Sequence, residues 1–260
     1  MISLQEINAL PIPERDRCYF SLVPPALCQR FALDPISLTD AAGRSVARVE
    51  ASPRRPSVQI RLTHRADALD PAFFLRLEQT RYGNLQIRFI VLNDPDSPRF
   101  GVDLDDEGNV TDLGVRSRNL REEERAVRAG LAPGQVRPGI RMLRPALDRI
   151  EGFAARLGMA ALVLEAFFYH NAILYERHGF GYLAGQDRME MLHRGFLPGG
   201  PLQAKLDGSG PFRMQGAGET IRGRSWAVHD GILPQRWWPP QLFRPVGIRL
   251  TVCTAPGVPF

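Results

Sequence analysis

The segment from Gly134 to Phe180 constrains this chain more than any other, because four elements of different type follow one another with almost no spare residues. It opens on GQVRPGIRML, a loop broken by Gly134, Pro138 and Gly139. Leu143, Leu147, Ile150, Ala154 and Leu157 then fall four, three, four and three residues apart, the spacing of one buried helical face, and Gly158 closes that helix. MAALVLEAFF, residues 159 to 168, is a nearly unbroken apolar run too short for a well-developed helix, which predicts a strand buried on both faces of a sheet. After it Asn171 stands where it can cap a helix of about two turns, and Gly179 can close that helix in the left-handed conformation.

Loop, helix, strand and helix in this order create an anion site. The N–H groups of a first helical turn have no partner inside the helix, and they point into the preceding loop. Arg137, Arg141 and Arg144 lie at that mouth. Backbone donors and guanidinium forks together suit a pyrophosphate, whereas the plainer reading is an arginine-bearing helix start solvated at the surface.

The remainder of the chain reads as support for this unit. At 260 residues, with 44% apolar and 23% charged residues, it is long enough for a real core and has an ordinary globular composition. Its start, MISLQEINALPIPERD, has neither a basic segment nor a long apolar one, and no apolar run reaches the length of a membrane span, which predicts a cytoplasmic protein with no membrane partner. Cys18, Cys28 and Cys253 are odd in number and widely spaced, which argues for free thiols over a disulfide framework or a zinc ribbon. The net charge is +5, and its excess falls after residue 187, where nine Lys and Arg face four Asp and Glu. Lys205 is the only lysine, so arginine dominates throughout, and no basic run interleaved with aromatics appears; the linear sequence argues against nucleic acid as a partner.

Residues 1 to 16 read as a polar lead-in, RCYFSLV (17 to 23) as a first strand, and PPALCQRFAL as a short helix opened by proline. GRSVARVEA (43 to 51) and SVQIRLTH (57 to 64) alternate apolar and polar residues as half-buried antiparallel strands do. FFLRLEQT (73 to 80) and NLQIRFIVL (84 to 92) form a hairpin across Arg81, Tyr82 and Gly83. Asp103, Asp105 and Glu107 before Gly108 resemble the opening of a calcium loop, but Gly114 stands where that loop needs a bidentate Glu, so a solvated acidic turn is the better reading. NLREEERAVR (119 to 128) predicts a helix capped by Asn119. GYLAGQDRMEMLH reads as one or two strands, with Met189 and Met191 on one face and Glu190 on the other. Residues 195 to 260 are rich in Gly, Pro and Trp and read as an extension packing on a domain of residues 1 to 194; a substrate pocket or a homodimer contact are alternative uses for it.

GQVRPGIRML, the helix ending in ARLG, the strand ALVLEAFF, then AILYERHGF and GYLAGQDRMEM together resemble the acyl-CoA-binding half of the GNAT N-acyltransferase superfamily over residues 134 to 192. The most specific part is Leu174, Tyr175, Glu176, Gly179 and Phe180, which match the LYExxGF pattern of that family. The resemblance implies a mixed α+β fold with a central mixed sheet flanked by helices. It also implies a transferase that moves an acetyl or other acyl group from acyl-CoA to an amine on a small molecule or peptide, with no metal. It places the CoA pyrophosphate on the loop Gln135, Val136, Arg137, Gly139, Ile140 and Arg141, with Asn171 as a further contact, and makes Tyr175 the acid that protonates the departing thiolate. The loop departs from the pattern: Gln135 comes one residue early, Arg141 stands where a small residue is usual, and Asn171 lies four residues before Tyr175 where the family has it seven before. A scaffold that has lost the phosphate grip is therefore the alternative to an enzyme. Glu165 and the His229/Asp230 pair are candidate bases, His170 and His178 flank the short helix as exposed or capping residues, and Ser225 with His229 gives a weak hydrolase motif that lacks the second glycine of GxSxG.

Overall fold

A computed structural model describes residues 2 to 114 and 116 to 260. The chain has a mixed α+β fold. Its elements are α1 (Leu4–Asn8), α2 (Ile12–Phe20), α3 (Pro25–Arg30), β1 (Ala47–Ala51), β2 (Ser57–Leu62), β3 (Phe73–Gln79), β4 (Leu85–Leu92), α4 (Leu120–Arg128), α5 (Leu143–Arg156), β5 (Ala161–Glu165), α6 (Tyr169–Glu176), β6 (Gly181–Ala184), α7 (Gln186–Gly195), α8 (Ile221–His229) and β7 (Gln241–Pro245). The strands form one seven-stranded mixed sheet in the order β1-β2-β3-β4-β5-β7-β6.

Two compact units divide the chain. The first comprises residues 1 to 97, 139 to 164 and 244 to 248. In it β1 to β4 form an antiparallel meander, and β5 joins β4 in parallel. One face of the meander is apolar: Val58, Ile60, Leu62, Phe73, Leu75 and Leu77 are at most 2% exposed. The strict alternation seen in the sequence produces this face directly, because successive side chains on a strand point to opposite sides. Within the same unit α2 and α5 meet through the rings of Tyr19 and Phe153, 6.0 Å apart, and Arg149 donates to the Ser21 carbonyl at 2.7 Å. α5 buries Ala146, Leu147, Ile150, Phe153 and Ala154, close to the predicted stripe, and Gly158 follows it at φ 67°.

The second unit comprises residues 98 to 138, 165 to 243 and 249 to 260. Its apolar cluster gathers Phe100, Val102, Ala126, Leu131, Phe212 and Trp226. Trp226 is 1% exposed and satisfies its indole by donating to the Leu131 carbonyl at 2.7 Å. β6 pairs antiparallel with β7.

Four local expectations are corrected. Residues 17 to 20 are helical, as the end of α2, and not a strand. Tyr19, Leu22 and Val23 are the buried positions there, an i, i+3, i+4 spacing that serves a helical turn, and Pro13 and Glu14 suit the first turn of α2. The lead-in also contains α1, closed by a capping box between Ser3 and Glu6. Residues 186 to 195 form α7, because Gly185 at φ 94° ends β6 and the buried Met189 and Leu192 lie three apart on one helical face. Asn171 does not cap α6: the cap position is Phe168, and Asn171 lies inside the helix. Asn119, by contrast, caps α4 as its sequence predicts, accepting from the Glu122 N–H at 3.2 Å.

Candidate functional site

The residues that could receive a ligand in the first unit gather where β4 leaves the meander and α5 begins. Asn93 donates its N–H to the Ala72 carbonyl at 3.1 Å, so Phe73 and Leu92 are a pair without mutual hydrogen bonds. Leu92 therefore turns its carbonyl away from β3, where it accepts the Ile140 N–H at 3.1 Å. By the same alternation Ile90, opposite Leu75, also directs its N–H and C=O away from β3. β5 lies on that side, but its register with β4 ends at the pair Ile87 and Leu164. Ile90 thus presents one donor and one acceptor beyond the point where the parallel pairing stops. β4 is central in the sheet, yet none of its last five residues is fully buried, unlike the alternating β2.

The chain returns to this edge through Gly139, which bridges to Asn93, and Ile140. Arg141 follows in the left-handed region at φ 60°, exposed and without the freedom of glycine. α5 then starts from Met142 with no side-chain cap and no acidic residue in its first turn. Ala146 makes an i to i−4 bond to the Met142 carbonyl at 3.0 Å, and Pro145, the third residue of the helix, has no N–H to give. The first-turn donors are therefore those of Leu143 and Arg144, at the positive end of the helix dipole, beside the exposed side chains of Arg141 and Arg144. A Cβ at Gly139 would meet only an ordinary contact with the Leu92 carbonyl at 3.5 Å, so space alone does not require glycine there.

Of the residues singled out in the sequence, Gly139, Ile140 and Arg141 come together at this place. Gln135, Val136 and Arg137 belong to the second unit. There the Gln135 side chain accepts the Ala132 N–H at 2.7 Å, folding back on its own loop, and the Val136 carbonyl accepts the Phe100 N–H at 2.8 Å. Arg137 and Asn171 are half-buried. Tyr175 is 8% exposed and sets its ring edge-on to Phe180 at 5.3 Å. Burial pushes its phenol well above the ordinary range, so at neutral pH it is a proton donor.

The second unit also holds a buried polar cluster that only in part was visible in the sequence. His229 Nε2 lies 3.0 Å from Glu123 Oε1, and Arg118 binds Glu123 Oε2 at 2.5 Å and Asp230 Oδ1 at 2.9 Å. Arg213 closes the chain on Asp230 at 2.8 Å. Burial alone would raise the Glu123 carboxyl, but the hydrogen bonds from His229 and Arg118 outweigh it and hold the group below its usual value. His229 and Asp230 are thus engaged by Glu123, Arg118 and Arg213. Ser225 finds His170 instead of His229, with His170 Nδ1 at 2.9 Å from its Oγ. Contrary to the exposed or capping role expected of it, His170 is 4% exposed, and burial, helped by the charges of Arg222 and His229, lowers its pKa to about 3. A neutral imidazole and a hydroxyl sealed inside α6 and α8 satisfy each other, and Ser225 lacks the strand-to-helix elbow of a hydrolase.

The LYERHGF glutamate has a similar fate. Glu176 is 5% exposed and accepts from the Tyr182 hydroxyl, from Thr254 Oγ1 at 2.6 Å and from the Thr254 N–H at 3.0 Å. Burial raises its pKa even so. Gly179 closes α6 at φ 81°, and a Cβ there would lie 2.6 Å from Arg249 Cδ, which explains why this position takes glycine.

Among the described residues no helix is long and apolar enough to cross a membrane, and no group of three or more His, Cys, Asp or Glu is placed to hold a metal ion. No family model, no curated protein and no solved structure matches the chain.

Proposed function

We propose that this chain is a GNAT-like N-acyltransferase that carries an acetyl or related acyl group from acyl-CoA to an amine. The observation that carries the reading is the edge at Ile90: a backbone donor and acceptor beyond the end of the β4–β5 register, beside the uncapped, arginine-flanked start of α5. In open sheets, ligands bind outside the carboxyl ends of parallel strands, where connections part. CoA has both chemistries this edge can take. Its pyrophosphate suits the Leu143 and Arg144 N–H groups with the two guanidinium side chains, and its pantetheine amides suit Ile90, as an extended peptide pairs with a strand edge. The LYERHGF series and the mixed sheet flanked by helices support the same reading.

In the reaction the amine nitrogen attacks the thioester carbonyl and gives up a proton to solvent, the C–S bond breaks, and the thiolate takes a proton from an acid that solvent recharges. The resemblance gives that last step to Tyr175, whose raised pKa keeps the proton on its oxygen until sulfur develops charge. Tyr175→Phe should lower turnover with acetyl-CoA while leaving acetyl-CoA affinity unchanged, measured by steady-state rates and calorimetry. Unchanged turnover would remove Tyr175 from the mechanism.

A second reading, a binding scaffold of the same fold without turnover, is favoured by Pro145 and by Gln135, since one first-turn donor is missing and the glutamine is engaged within its own loop. Acetyl-CoA binding without any acyl transfer to a panel of primary amines would select it.

A further inference from the structure

We propose that the solvent face of the β1–β4 meander binds single-stranded nucleic acid. The feature is invisible in the linear sequence, because it is assembled by strand register. Opposite the apolar face, one row across the sheet runs Arg48, Arg61, Phe74, Val91, and the next runs Glu50, Gln59, Arg76, Phe89. Each phenylalanine therefore has an arginine as its direct cross-strand neighbour, and the two rings meet edge to face at 5.9 Å. Both rings are only half-buried on a face that should by alternation be polar, and Arg76 is exposed.

The arginines are placed at some expense to the fold. Arg48 and Arg61 are direct partners, and like charges opposite one another destabilise a sheet. The acidic groups on this face are few: Glu50 pairs with Arg48 at 3.0 Å and accepts from Gln59, and Glu78 lies 3.7 Å from Arg88. Arg61 donates to the Leu69 carbonyl. What remains is positive charge from Arg48, Arg61, Arg76 and Arg88 around two aromatic rings. A ligand that answers both parts alternates anionic groups with flat rings, as a single strand does with its phosphates and unstacked bases. A duplex hides its ring faces, and an acidic peptide would leave the phenylalanines without a use.

The test is fluorescence anisotropy of the full chain with a labelled single-stranded homopyrimidine oligonucleotide, titrated at several salt concentrations. Four phosphate contacts, one for each arginine, predict that log affinity falls against log salt with a slope of about −3. Phe74→Leu with Phe89→Leu should weaken binding roughly ten-fold and leave that slope in place. Arg61→Gln with Arg76→Gln should halve it to about −1.5. The arginine pair lies on the solvent side, so it keeps the test decisive if the leucine replacements lower the melting temperature. The proposal is overturned by no binding at low salt, by equal competition from polyglutamate or from duplex DNA, or by binding that neither double variant changes.

Discussion

The start of α5 in the first unit and the surroundings of α6 in the second contain similar polar side chains put to opposite uses. Around α6, His170, Ser225, Glu123 and Glu176 are buried, Arg118 and His229 are half-buried, and each is answered by another protein group. At the α5 start, Arg141 and Arg144 are exposed, the helix has no side-chain cap, and Ile90 turns its peptide groups beyond the end of a strand pairing. Buried polar groups that satisfy one another specify the fold. Polar groups that protein leaves to the solvent are the ones a ligand can claim. The glutamate of LYERHGF is therefore a structural group, and the loop before α5 is where charged side chains stay exposed.

This contrast can be broken by substitution. The largest effect is expected at Glu123, whose side chain is 2% exposed: Glu123→Ala removes the partner of Arg118 and His229 and should cost about 3–5 kcal/mol in urea unfolding. A loss below about 1 kcal/mol would show that the cluster is not a structural device. Glu176→Ala leaves the Tyr182 hydroxyl and the Thr254 donors unsatisfied and should cost about 2–3 kcal/mol by the same measurement.

Next comes pH. The folded pKa of His170, about 3, lies below its ordinary 6.5, so between these values the unfolded chain binds the proton and the folded chain does not. Stability contributed by this group is full above about 6.5 and is lost as pH falls towards about 3. Glu123 adds to the loss at the acid end, because its lowered pKa makes protonation favour the unfolded chain. His170→Gln should flatten the decline between pH 6 and 5, followed by thermal melts against the wild type, in which the carboxylates are the same; an unchanged slope would mean that His170 is reached by solvent. The smallest effect belongs to Arg141→Gly, which relieves a left-handed non-glycine residue and should change stability by about 1 kcal/mol or less, in the stabilising direction. A clear destabilisation would show that the Arg141 side chain holds the loop.

Much of the fold was legible because its elements follow local rules. The alternation in β1 to β4, the stripe of α5, the Asn119 cap and Gly179 all came through, each decided by spacing or by one residue with a special backbone preference. The failures share a different cause. Tyr19 and Phe20 read as strand because they are aromatic, although Tyr19, Leu22 and Val23 carry a helical spacing. Met189, Glu190 and Met191 alternate for only three residues, too few to tell a strand from the face of α7. β7, preceded by Pro239 and Pro240 and ending on Pro245, has no strand pattern in the sequence, and its pairing with β6 is set by tertiary structure. For the candidate site, Gly139 and the arginines could be found from the loop. Ile90 could not, because which way a peptide group faces depends on register. Glu123 and Arg118 lie within a charged stretch, and only tertiary packing buries Glu123 and brings Arg118 to it.

The central claim is that the α5 start and the β4 edge hold acyl-CoA. Calorimetric titration of acetyl-CoA into the wild-type chain and into an Arg141→Glu/Arg144→Glu variant tests it most directly. The account predicts saturable heat for the wild type and an affinity at least roughly ten-fold weaker in the variant, with little change in melting temperature, as expected when two charge-assisted phosphate contacts are reversed at an exposed helix start. No heat with the wild type, or equal affinity in both proteins, would contradict it.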